Sequence, residues 1–184
     1  MSNTRRLVYL AMFAAASYVL MLPQVPLFPS APYLQYEPSD VPSLIGAFWM
    51  GPVAGLIITG VKALIFLFTK GDSGPIGAAM NFAACGTFAF VAAAVYRRFH
   101  SRMGAILGLV AGTIAATLVM VPVNYYVGLP LWNVPAPARM PLIISTITPF
   151  NLIKGAISSL ITILVYKPVR RVMESFGFSR FQHE

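Results

Sequence analysis

The sequence predicts an all-α integral membrane protein of six transmembrane helices, with both termini in the cytoplasm. Three observations predict it. Of 184 residues, 58% are hydrophobic and 10% charged, whereas a soluble domain covers its surface with roughly 25% of charged residues. Long apolar runs, near the ~20 residues that cross a bilayer as helix, alternate with short proline-rich, turn-rich or basic segments. Finally, the basic residues fall almost entirely on one side of the membrane once the runs are threaded through it. The length suits one domain, residues 1–184.

Span 1 runs from about Arg6 to Leu22. Arg5 and Arg6 before an apolar run resemble a signal peptide, but no small-x-small cleavage site follows and further spans come after it, so an uncleaved span is expected. Pro23, Pro26, Pro29 and Pro32 resist helix, and Leu34, Tyr33 and Tyr36 among them predict an ordered loop from Pro23 to Ser39. Ser39 or Asp40 is placed to cap a short span 2, with Pro42 in its first turn. Gly51-Pro52 breaks the chain near Met50, and span 3 continues to about Thr69.

Lys70 to Pro75 reads as a turn. Span 4 is expected from Ile76 to Tyr96, a basic loop from Arg97 to Arg102, and span 5 from Gly104 to Val127. A second proline-rich stretch, Leu129 to Pro141, reads as a loop before span 6, Ile143 to Tyr166; a tail begins at Lys167-Pro168.

Threaded this way, Arg5, Arg6, Arg97, Arg98, Arg102, Lys167, Arg170, Arg171 and Arg180 share one side, while Lys70 and Arg139 lie on the other. The positive-inside rule makes the first side cytoplasmic. Both proline-rich loops then face outward, over an outward-facing pocket.

The net charge of +8 is thus topological, and no nucleic-acid motif accompanies it. Cys85 is the only cysteine and cannot form an internal disulfide; His100 and His183 are far apart, and no metal-ligand cluster is visible. Enzymatic motifs are absent: no HExxH, no Gly-x-Ser-x-Gly, no Cys–His pairing and no phosphate loop. Uphill transport by such a chain needs energy from a partner.

Small residues recur at helix-packing spacing: Gly104, Gly108 and Gly112; Gly51 and Gly55; Ala11 and Ala15. Such residues let helix backbones approach closely. Internal packing is one reading and a docking face for another membrane subunit the other, with span 1 the best candidate for docking.

Polar side chains within spans are costly and face cavities or other helices. Here they are Lys62, Asn81, Asn124, Asn151 and Lys154, with Asp40 near a boundary. Asn151 and Lys154 are three residues apart and share a helix face. Asn81, Asn124, Asn151 and Lys154 are expected at similar depth near the outer side. Interhelical hydrogen bonding explains them without a ligand. With a ligand, the paired donor and acceptor of Asn and the charge of Lys suit the amide or imide edge of a planar heterocycle, whose faces Tyr, Trp and Phe could cover.

Several stretches resemble a known family. Tyr33-Leu34-Gln35-Tyr36-Glu37-Pro38-Ser39-Asp40-Val41-Pro42, Leu44-Ile45-Gly46, Gly51-Pro52-Val53-Ala54-Gly55, Asn124-Tyr125-Tyr126 and Pro149-Phe150-Asn151-Leu152-Ile153-Lys154-Gly155 resemble, in order and spacing, the riboflavin-specific S components of energy-coupling factor (ECF) transporters. The resemblance implies a multi-pass subunit of a prokaryotic cell membrane that binds riboflavin, uses no cofactor and is not an enzyme. A transmembrane coupling subunit and two ABC ATPase subunits would be its partners. It implies substrate contacts at Asn124, Asn151 and Lys154, at Asn81 of Met80-Asn81-Phe82, and at Leu34, Tyr36 and Asp40 where the first loop lids the pocket. Ala11 and Ala15 resemble the family's AxxxA docking motif. Family members often carry Lys at Gln35, Asp at Glu37, Asn at Ala63 and an acid near Thr59, so the roles of Gln35, Glu37 and Lys62 stay unassigned. An S component for another heterocycle, a membrane enzyme and a ligand-free structural subunit are the alternatives.

Overall fold

Helices carry most of the chain in this computed structural model, which describes residues 3–29, 31, 34–69 and 74–175. Tyr33, the expected turn at Lys70–Ser73 and Arg180 lie outside the described residues.

Helix α1, Asn3–Val19, buries Tyr9, Leu10, Phe13, Ala14 and Ser17. These recur at the spacing of one helical face. Tyr9 and Phe13 meet Trp49, with ring centroids 5.7 and 6.3 Å away. Ala11 and Ala15 lie on the other face and are exposed, as are Leu7, Val8 and Met12.

The described residues of the loop after α1 take a defined arrangement. Strands β1, Val25–Pro26, and β2, Gln35–Tyr36, pair antiparallel with Val25 opposite Tyr36. Ala31 and Leu34 pack into a cluster with Leu129, Ile143, Ile147 and Phe150. The loop is thereby fastened over one end of the bundle.

Helix α2, Asp40–Met50, is buried along its length except at Trp49. A helix apolar on every side belongs in a core. Asp40 sits in its first turn, where negative charge is favoured. The capping expectation is corrected: Ser39 is at the cap position, but its side chain makes no capping bond because it accepts a bond from Lys62 Nζ at 2.9 Å. Gly51 then turns the chain with φ 99°, a conformation costly for other residues. Its role is the turn rather than helix packing.

Helix α3, Pro52–Thr69, buries Ile58, Thr59, Lys62 and Phe66 on one side. Gly55 packs inward: a Cβ there would lie 2.8 Å from the Ala47 methyl and 3.1 Å from that of Ala89. Helices α4, Gly74–Phe99, and α5, Arg102–Val123, form a tight pair. A Cβ on Gly112 would lie 2.7 Å from the Phe88 carbonyl oxygen, and one on Gly108 would collide with that of Ala92. Those two glycines are therefore internal packing, and Ala11 and Ala15 remain the open small-residue pair. Ser101 caps α5, accepting from the Gly104 N–H at 2.9 Å.

Beyond α5 a loop was expected from Leu129 to Pro141, but only residues 132–135 leave the helical path. A π-helical turn, Asn124–Gly128, leads into α6, Leu129–Leu131; then α7, Ala136–Leu142, runs through a second π turn, Ile143–Ile147, into α8, Thr148–Ser175. The prolines of this stretch misled because proline is well tolerated in a helix's first turn: Pro130 and Pro137 stand there. Helix α8 also passes through Pro168, where a tail was expected. Pro168 is exposed, so water can solvate the carbonyl that its missing N–H leaves unpaired.

Four helical segments are long and apolar enough to cross a membrane: Pro52–Thr69, Gly74–Phe99, Arg102–Leu131 and Ala136–Val169. Helix α2, with 11 residues, rises only ~16 Å, about half of a ~30 Å hydrocarbon core.

Candidate functional site

Two acids and the amine of Lys62 are buried together beneath the loop, with the amine of Lys154 partly buried beside them. Glu37 enters from the loop, Asp40 from the first turn of α2, Lys62 from α3 and Lys154 from α8. Each charge is costly out of water unless it is paired or hydrogen-bonded, and the set is balanced in sign. Lys154 Nζ lies 3.2 Å from Glu37 Oε1 and 4.0 Å from Asp40 Oδ2. Asn81 of α4 donates to the same Glu37 oxygen at 2.6 Å. Ser158, one turn beyond Lys154, donates to Asp40 Oδ2 at 3.4 Å.

Hydroxyls extend the cluster towards α1. Ser39, engaged by Lys62, accepts at its carbonyl from Ser43 Oγ at 3.4 Å, and Ser43 meets Ser17 Oγ of α1 at 3.0 Å. Thr59 turns its hydroxyl back onto the Gly55 carbonyl at 2.9 Å.

Burial opposes the charge on Glu37. The ammonium groups of Lys154 and Lys62, with the hydrogen bonds from Asn81 and Lys154, outweigh it and hold the carboxyl below its usual range. Burial raises the phenol of Tyr36, so the neutral form persists there. Glu37 Oε2 and Asp40 Oδ1 are buried and find no hydrogen-bond partner among the described residues. Such atoms are costly to leave unmatched, and they offer acceptors to a ligand's hydroxyl or N–H groups.

Asn151 and Lys154 line one small cavity with Asp40, Cys85, Phe88 and Thr113. This confirms the shared face expected from their spacing. The Asn151 amide donates to the Ile147 carbonyl at 2.8 Å. Asn124 does likewise to the Met120 carbonyl at 2.8 Å. Each asparagine is anchored by one N–H beside a π turn, a feature that recurs at functional sites. Each amide keeps a second N–H and its oxygen, the paired donor and acceptor that an imide edge requires.

Asn124 bonds to the Met120 carbonyl rather than to a member of the Lys154 cluster. It is buried beside Gly128, where a Cβ would lie 2.7 Å from Met80 Cε and 3.1 Å from Asn124 Oδ1. Leu34 belongs to the apolar seal of the loop rather than to the polar cluster. The structure thus gathers Asn81, Asp40, Asn151 and Lys154, with Tyr36 at the margin. Sequence reasoning left Glu37 unassigned, although two of the expected site residues converge on it. The signal was available: a polar set rich in amines within apolar spans requires acids, and the chain has only five.

The chain matches the family model described as ECF transporter, substrate-specific component, over residues 5–166. It is 39% identical over 174 residues to the riboflavin transporter RibU of Staphylococcus aureus (strain TCH60), covering 91% of each chain. With the riboflavin transporter FmnP of Bacillus subtilis (strain 168) it shares 32% identity over 174 residues, covering 89% of this chain and 91% of the relative. A solved structure, described as the S component of a bacterial ECF transporter, superposes with a TM-score of 0.81 at 38% identity, covering 94% of this chain and 99% of that one.

Proposed function

The chain belongs to the family of substrate-specific components of ECF transporters, and from that premise we propose that it is the riboflavin-binding subunit of an ECF-type vitamin uptake system. It is a transporter subunit of the cell membrane and not an enzyme. The observation that carries the site is the largely enclosed set in which Asn81 and Lys154 meet at the buried Glu37 beneath the fastened loop.

Six helical segments cross the bilayer in this reading, with α1 and α2 counted among them and both termini cytoplasmic. Asn124, Asn151 and Lys154 hold the polar edge of the flavin ring. Asn81, Asp40 and Tyr36 line the rest of the polar site, and Leu34 belongs to the lid. Lys154 exchanges part of its bond to Glu37 for a bond to a ring oxygen, and the unmatched oxygens of Glu37 and Asp40 accept from ligand hydroxyls. A coupling membrane subunit docks on the Ala11–Ala15 face of α1, and two ATPase subunits supply the energy that this chain has no phosphate loop to harvest.

Detergent-purified protein is expected to be yellow, or to quench the fluorescence of added riboflavin on binding it. A colourless sample that leaves that fluorescence unchanged contradicts the reading.

A further inference from the structure

A second, larger cavity lies at the opposite end of α8 from the site above. It has a volume of about 510 Å³ and opens between the ends of α2, α4, α5 and α8. From Lys154 to Tyr166 is 12 residues, or ~18 Å along a helix, so the two sites are separate.

Its lining has two characters. Phe48, Tyr96 and Tyr166 form an aromatic wall, Phe48 being edge-on to the other two at 5.0 and 6.5 Å. Ile106, Leu109 and Ile163 continue the apolar side along α5 and α8, and the first and last are exposed on the flank of the bundle that faces hydrocarbon. At the mouth stand Arg102, Lys167 and His100. No acid lines the cavity, and among the described residues the ion pairs are those of Lys154 with Glu37 and Asp40. The cations at the mouth therefore have no carboxylate partner among the described residues.

A cationic mouth above an apolar, membrane-facing wall is complementary to a molecule that is anionic at one end and hydrocarbon at the other. A free anion would use the mouth and gain nothing from the wall. A neutral lipid would use the wall and leave the charges unmatched. We propose that this cavity binds one anionic glycerophospholipid, with its phosphate between Arg102 and Lys167 and an acyl chain along Ile106, Leu109 and Ile163. Arg suits phosphate because its fork makes paired, charge-assisted hydrogen bonds. Basic pockets between membrane helices on the cytoplasmic side bind such headgroups, which agrees with the charge asymmetry of the sequence. The inference is independent of which vitamin the other site takes.

Native mass spectrometry of the detergent-purified full chain tests it, with phosphatidylglycerol, phosphatidylcholine or inorganic phosphate as probe. One phosphatidylglycerol is expected to be retained, in at least about tenfold preference to phosphatidylcholine. Arg102→Gln/Lys167→Gln should bring retention down to the phosphatidylcholine level. Ala105→Trp, which fills the cavity and leaves the charges, should do the same, with helicity by circular dichroism unchanged in both. Equal retention of the two lipids, or retention that survives both variants, overturns the proposal as annular lipid. Displacement of phosphatidylglycerol by millimolar inorganic phosphate overturns it in favour of a free-anion site.

Discussion

Lys154 Nζ meets Glu37 Oε1 at 3.2 Å across 117 residues of sequence, and this contact ties the loop to α8. The two side chains are 14% and 4% exposed, so each leaves a buried charge behind if the other is removed. Breaking such a pair costs roughly 3–5 kcal/mol. Lys154→Met should therefore lower the Tm in detergent, and Glu37→Gln in the same background should restore much of it. Riboflavin affinity should behave differently, falling about tenfold to a hundredfold in both the single and the double variant. Calorimetric titration beside thermal unfolding separates the two roles; affinity that recovers together with the Tm would make Lys154 a structural residue only.

Acid should loosen the same tie. The Glu37 carboxyl is held below its usual range, so the stability it contributes is present above the unfolded value, about 4.3, and is lost as pH falls through the lower folded value. The Tm of the unaltered protein should fall with acidification below about pH 4.3, and that of Glu37→Gln should fall less. Parallel curves would show that Glu37 is not the titrating group.

The two anchored asparagines predict a separable loss. Asn124→Leu and Asn151→Leu each remove an imide-matching pair from the ring edge. Each should weaken riboflavin binding about tenfold to a hundredfold. Titration calorimetry that returns the original affinity for both would place the ring elsewhere and leave these residues bonding only to the Met120 and Ile147 carbonyls.

On α1, Ala11 and Ala15 are exposed among the described residues, so a larger side chain at either points away from the bundle they form. Ala11→Leu or Ala15→Leu should leave riboflavin binding by the isolated subunit intact. Vitamin uptake in cells and recovery of the assembled transporter should both fall, because close helix approach is blocked. If binding is lost along with uptake, the face packs within this subunit after all.

Orientation is open to chemical labelling. Cys85 is 3% exposed and should remain silent. A cysteine at Val25, which is 59% exposed, should react with an impermeant thiol reagent in intact cells. One at Ser101 should react only after the membrane is opened. The reverse pattern would invert the topology.

The apolar runs made α3 to α5 legible, since their length and hydropathy leave few alternatives, and Gly51-Pro52 marked the break between α2 and α3. The stretch from Leu129 to Pro141 was not legible. Proline signals both loops and first helical turns, and only the packing of Leu129 and Ile143 under Leu34 decides between them. Within the site, Asn81, Asn151 and Lys154 stood out because polar groups in apolar spans demand partners. Glu37 did not, since an acid in a loop is ordinarily solvated; it becomes buried only when the loop folds back, a long-range event with no local signature. Lys62 announced itself as a buried cation, but its pairing with Ser39 depends on how α3 lies against α2.

A π turn takes in about one residue more than the α turn that it interrupts. The turn at Ile143–Ile147 lies directly upstream of Asn151, Lys154 and Ser158. Wound into ordinary α-helix instead, that extra residue would rotate α8 by about 100° against α7. Those three side chains would swing off the cavity together, without one of them being substituted. The phase of α8 is therefore as much a determinant of what the site recognises as its side chains are, and the π turn, by absorbing the extra residue, is what keeps that phase.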